Sequence, residues 1–230
     1  IDTIKKSLSG DLEKKSLIIK YFKKLKDLNE MELYNICPTK LQEALILENL
    51  EDLRRLIIES EIDINDGNEY KPPVILATEY EQEDFLELLL QNNAKLNINY
   101  GEYGLSPFHF AALGGNERII KIFLKRNSSQ GYAATGSEDC AVEFIESLID
   151  VNKKTKFGET ALCLAVQSGN LAAVEALMED EDPINRANIV DYHGRNNPLF
   201  FAVLNNRSDI AEYLLKKGAD KLSSEASLTL

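Results

Sequence analysis

One small residue recurs along this chain, and its spacing constrains the fold more than any other feature. Ala44, Ala77, Ala111, Ala165 and Ala202 follow one another at intervals of 33, 34, 54 and 37 residues. A unit of about 33 residues cannot bury its own apolar face, so copies of it must stack and share a core. Two of the four intervals keep that period, and the other two carry insertions. A chain of 230 residues has room for one or two globular domains or for a single stack of repeats. The recurrence selects the stack.

The copy around Ala111 is the fullest. Gly104 provides a turn, Ser106 can cap the first backbone N–H groups of a helix, and Pro107 takes the first helical position, where no N–H is needed. Ala111 and Ala112 are small enough for a neighbouring helix to approach closely. Gly114-Gly115 closes the helix, because glycine tolerates the left-handed conformation found there. Ile119, Ile120, Phe123 and Leu124 then form an apolar stripe of helical period. The run Ser106-Pro107-Phe108-His109-Phe110-Ala111-Ala112 resembles the hallmark of the ankyrin repeat, Thr-Pro-Leu-His-x-Ala-Ala. Thr160-Ala161-Leu162-Cys163-Leu164-Ala165 and Asn197-Pro198-Leu199-Phe200-Phe201-Ala202 are further copies. Asp63-Ile64-Asn65, Leu96-Asn97, Asp150-Val151-Asn152 and Ile184-Asn185 repeat the Asp-Val-Asn that follows the second helix. The resemblance implies an all-α solenoid of about five helix-turn-helix repeats with short β-hairpin fingers and an N-terminal helical cap.

Three segments are expected. Residues 1–38 form the cap, 39–222 the repeat domain, and 223–230 a tail. Leu17, Ile18, Tyr21, Phe22, Leu25 and Leu28 give the cap an amphipathic helix. Its eight lysines against four acids over residues 1–28 read as a solvated face, or alternatively as a patch for a membrane surface or an acidic partner. Thr39 with Gln42 makes a capping box after Pro38. Glu81 stands where the helix-ending glycine normally is, so that turn is expected to be less ideal. An insertion falls at about 127–148. Within it, Asn127–Gly136 reads as an exposed loop, and Ser137–Leu148 as a helix packed by Phe144, Ile145 and Leu148. No full capping helix pair follows Leu222, and the chain starts at Ile1, so a natural chain longer than this one is expected.

Composition narrows the function. A net charge of −12 argues against nucleic acid, whose phosphates it repels. No run of about 18 apolar residues offers a membrane span. Cys37, Cys140 and Cys163 have neither CxxC nor metal-ligand spacing, which points to a reducing compartment, the cytoplasm or a host cell's cytosol. No glycine-rich phosphate loop, His-Glu-x-x-His or calcium loop occurs, and Cys140 has no orienting histidine nearby. Of the two histidines, His109 lies in the hallmark motif, where the resemblance implies that it ties neighbouring repeats together. No catalytic residue, cofactor or metal is therefore expected, and the chain reads as a non-enzyme.

What remains is binding. The resemblance implies a monomer that grips another protein with its fingers and the inner faces of its first helices. The finger residues Tyr70, Tyr100, Tyr103, Lys154, Lys156, Phe157, Tyr192, His193 and Arg195 are the candidates for partner contact. Exposed aromatics gain little from folding and contribute strongly at interfaces. A second reading makes the chain the recruiting domain of a larger, possibly enzymatic protein. The many Ile, Lys, Asn and Glu residues are similar to those of ankyrin proteins that intracellular bacteria deliver into host cells.

Overall fold

A computed structural model describes residues 40, 44–45, 48–58, 63–65, 71–129, 149–179, 189 and 197–220. The expected cap, the Thr39–Gln42 box, the helix at Ser137–Leu148 and the tail lie outside the described residues. Nine helices stand among those described: α1 Leu50–Ile58, α2 Pro73–Glu79, α3 Glu83–Gln91, α4 Pro107–Gly114, α5 Glu117–Ser129, α6 Ala161–Ser168, α7 Leu171–Leu177, α8 Pro198–Leu204 and α9 Ser208–Lys216. Ala44 and Leu45 are also helical. The chain divides into two compact units. One comprises Ile1–Ala77 with Asp84–Ala94, and the other Thr78–Glu83 with Lys95–Leu230.

In the first unit the apolar faces are short, and Ile58 at the end of α1 stays exposed. Leu53 and Leu56 of α1, Val74 to Ala77 of α2, and Phe85, Leu86, Leu89 and Leu90 of α3 are buried, together with Ala44, Leu45 and Ala94.

The second unit holds three helix pairs, α4 with α5, α6 with α7, and α8 with α9. First helices pack in the order α4, α6, α8, and second helices in the order α5, α7, α9, so two layers enclose one core. Phe108 and Phe123 meet edge to face in that core, with ring centroids 6.0 Å apart. Their fixed geometry adds to the burial of both rings. Ala111, Ala165 and Ala202 are at most 2% exposed, as a small residue between stacked helices must be.

The turn that joins the two helices of each pair has one rule. Glu48, Glu81, Gly115, Gly169 and Asn206 all have positive φ, between 54° and 74°. Each lies four residues after a recurring alanine, so the period first seen in side chains is also written in the backbone. Two glutamates hold a conformation that glycine adopts without penalty. The expectation of a poorer turn at Glu81 is met at that residue's φ of 57°. In three pairs the residue after this turn is an Asn that caps the second helix, whereas Arg207 before α9 makes no side-chain cap. Asn49, Asn116 and Asn170 each accept a backbone N–H of the first helical turn.

One expectation is corrected. The stretch read as loop from Asn127 begins as helix, because α5 runs to Ser129. Asn and Ser are weak helix formers, but nothing before Gly131 breaks a helix already propagating from Glu117.

Candidate functional site

Two neighbouring fingers of the second unit carry most of the expected contact residues. In the first, Tyr100 and Leu105 exchange backbone hydrogen bonds of 2.8 and 2.9 Å. This antiparallel bridge is the isolated β pairing found among the described residues. Gly101 and Gly104 make the reversal possible with φ of 71° and 66°. In the second finger, the Thr155 N–H donates to the Glu159 carbonyl at 2.8 Å, and the Gly158 N–H to the Thr155 carbonyl at 3.0 Å. The buried Thr155 hydroxyl accepts the Phe157 and Glu159 N–H groups, each at 3.2 Å. Sequence reasoning passed over this residue, although a threonine three residues before a glycine in a turn was a visible signal.

The fingers are fastened to each other and to α4. The Lys156 N–H donates to the Tyr103 carbonyl at 2.9 Å. The Asn97 side chain accepts the Asp150 N–H at 3.1 Å, and the Lys153 ammonium donates to the Asn97 carbonyl. Burial lowers the Lys153 pKa, against the pull of the Asp150 carboxylate.

His109 is the anchor. Its Nδ1 accepts the Ser106 N–H at 3.0 Å and lies 2.9 Å from the Ser106 hydroxyl. The other nitrogen, Nε2, lies 2.9 Å from the Lys153 carbonyl. An acceptor role at Nδ1 and a carbonyl at Nε2 define one neutral tautomer, with the proton on Nε2. Burial pushes its pKa from 6.5 down to about 4, against the opposing effect of the Lys153 carbonyl. The expected tie between neighbouring repeats is thus present in atomic detail. His109 also completes the cap of α4, since its side chain returns a bond to the Ser106 backbone.

This scaffold places two rings side by side. Tyr103 and Phe157 have centroids 5.4 Å apart, inclined at 50°, and each residue is 57% exposed. Lys156 is exposed beside them and Lys154 is half-buried. Tyr100 behaves differently from the tip residues. It is half-buried, with its ring 6.3 Å from Phe110, and burial together with the Glu79 charge raises its pKa. Tyr70, Tyr192, His193 and Arg195 lie outside the described residues.

The inner face of the first helices adds apolar groups. Leu113 is 40% and Leu204 48% exposed, and Phe110 and Phe201 are half-buried. Between them Gln167 donates to Glu159 at 2.6 Å. Among the described residues no cluster of His, Cys, Asp and Glu is arranged to hold a metal. Cys163 is buried against the Thr160 hydroxyl, 3.5 Å away, and cannot meet a substrate.

A family model described as ankyrin repeats in three copies matches residues 41–133 and 130–225. The chain belongs to the ankyrin repeat family. Its fold class is the all-α ankyrin-repeat solenoid, and such repeats are generally protein–protein interaction modules and typically not enzymes. The chain is 25% identical to the nuclear factor NF-kappa-B p105 subunit of Gallus gallus over 93% of its own length and 23% of that protein's. It is 28% identical to the NF-kappa-B inhibitor cactus of Drosophila melanogaster over 52% of this chain and 24% of the relative. A third match is the glycerophosphocholine phosphodiesterase GDE1 of Candida albicans, 29% identical over 40% of this chain and 8% of that protein. The ankyrin chain thus spans a quarter or less of the length of each of these relatives. No helix of the described residues is long and apolar enough to cross a membrane.

Proposed function

We propose that this ankyrin chain is a protein-binding module that grips its partner with the paired finger tips and the adjoining inner helix faces. One observation carries the reading. Tyr103 and Phe157 leave more than half of each residue in solvent, yet they sit on fingers held by the backbone bond between Lys156 and Tyr103. Rigid, exposed aromatic side chains bury area on association at little entropic cost, which is why they dominate interface energies. Lys154 and Lys156 supply charge at the rim, where it guides orientation and encounter rate. The module is read as a non-catalytic monomer acting in a reducing compartment, with protein as its partner class.

The relatives support this in their names, since cactus is called an inhibitor of NF-kappa-B and so acts on another protein. The Candida albicans match favours a second form of the reading. That protein is an enzyme by name, and the similarity covers 8% of it. A repeat segment inside a longer enzymatic chain acts by recruiting a target. The bacterial-effector version of this form, with delivery to a host cytosol, is supported by composition.

Affinity capture with the full chain and with a Tyr103→Ala/Phe157→Ala variant tests the proposal. The variant is expected to lose its captured protein while keeping the parental circular dichroism. Retention of the same partner in full by the folded variant contradicts it.

A further inference from the structure

The rings at the finger tips do not stand alone. Glu102 and Lys156, which directly precede Tyr103 and Phe157, are both exposed. Neither the Glu102 carboxylate nor the Lys156 ammonium has a hydrogen-bond or ion-pair partner among the described residues. Two acids of the second finger, by contrast, are engaged. Asp150 accepts the Asn152 N–H at 3.0 Å, and Glu159 accepts from Gln167 at 2.6 Å.

The Lys156 stem has a defined course. Its Cγ lies 3.1 Å from the point a Cβ on Gly104 would occupy, so it runs over Gly104 in the space the missing side chain leaves. Along the first finger Glu102 precedes Tyr103, and the lysine stem crosses Gly104, the residue that follows. A free negative charge is thus carried by the residue next to Tyr103 on the first finger, and a free positive one by the residue next to Phe157 on the second.

We propose that the finger tips recognise a short extended peptide segment in which an apolar side chain is flanked by one basic and one acidic residue, the basic one meeting Glu102 and the acidic one Lys156. This rests on the reading of the fingers as a partner-binding surface and adds the chemistry of what they hold. Charge complementarity sets the flanks, and the ring pair sets the centre. Area sets the size of the occupant. Two half-exposed rings and two side chains offer far less than the roughly 800 Å² per partner of a stable protein–protein contact, which favours a peptide over a second folded copy.

Two synthetic pentapeptides, Lys-Gly-Phe-Gly-Glu and Glu-Gly-Phe-Gly-Lys with blocked ends, test the proposal by amide chemical-shift titration of the full chain. One order is expected to bind about fivefold more tightly than the other, a difference of the size exposed charge pairs provide. The Glu102→Lys/Lys156→Glu variant keeps the net charge and is expected to reverse that preference. Lys156→Gln alone is expected to reduce it. Absence of shifts at Tyr103 and Phe157 with both peptides, or the same preference in the swapped variant, overturns the proposal. Capture that depends on Tyr103 and Phe157 without such a reversal would leave the binding surface standing and remove only the peptide chemistry. Capture independent of both rings removes the surface as well.

Discussion

His109 reports on the joint between two repeats through pH. Its native pKa of about 4 lies below the 6.5 of the unfolded chain, so on acidification the unfolded state takes up the proton first. Stability is then fully present above pH 6.5, falls between 6.5 and about 4, and loses nothing more from this group below that. The gap corresponds to about 3 kcal/mol in all. Urea unfolding of the parent and of His109→Gln checks this, and the stability difference between them should narrow by about 2 kcal/mol from pH 7 to pH 5. A difference that stays constant with pH would show that His109 is not held neutral. The left-handed turns give a second test at single residues. Glu81→Gly should stabilise by roughly 0.5–1 kcal/mol, because relief at φ 57° exceeds the entropy glycine adds to the unfolded chain. Gly115→Ala should do the reverse, by more than about 1 kcal/mol. It combines a φ of 72° with a Cβ 2.4 Å from the Asn170 side-chain nitrogen.

Among the elements, the first helices carry the least tolerance. Ala111 is 2% exposed in α4, which packs against α6. Ala111→Leu is therefore expected to cost about 1–3 kcal/mol by overpacking, measured as a lower urea midpoint. Asn170 does two jobs at the start of α7, accepting the Ala173 N–H at 3.1 Å and donating to the Gly115 carbonyl at 2.8 Å. Asn170→Ala should cost about 1–2 kcal/mol, and equal stability of parent and variant would dismiss the bridge. These elements were legible because their signals are local: Ser106 and Pro107 start α4, Gly115 ends it, and the alanines mark the contact. The candidate rings Tyr103 and Phe157 were legible for the same reason, as exposed residues beside turn glycines. What stayed hidden depends on partners far along the chain. Nothing near Tyr100 indicates that its ring packs towards Phe110, and nothing near Lys156 indicates that its stem crosses Gly104. The end of α5 escaped for another reason, since Asn127 and the serines after it weaken a helix without stopping one.

For the whole molecule, repeats gain stability from each other, and the joints described above connect one repeat to the next. The Lys153 carbonyl on His109 and the Gly115 carbonyl on Asn170 both cross between the third and fourth repeats. The first of these joints ties the second finger to α4, so the proposed binding surface is built on connected repeats. The central claim is that this surface receives a protein. Hydrogen–deuterium exchange on the full chain, with and without its captured partner, tests that claim most directly. Slower exchange is predicted for finger amides, those of Tyr103, Lys156 and Phe157 among them, with the outer helices α5, α7 and α9 unchanged. Protection confined to those outer helices, with the fingers exchanging as in the free chain, would contradict the account.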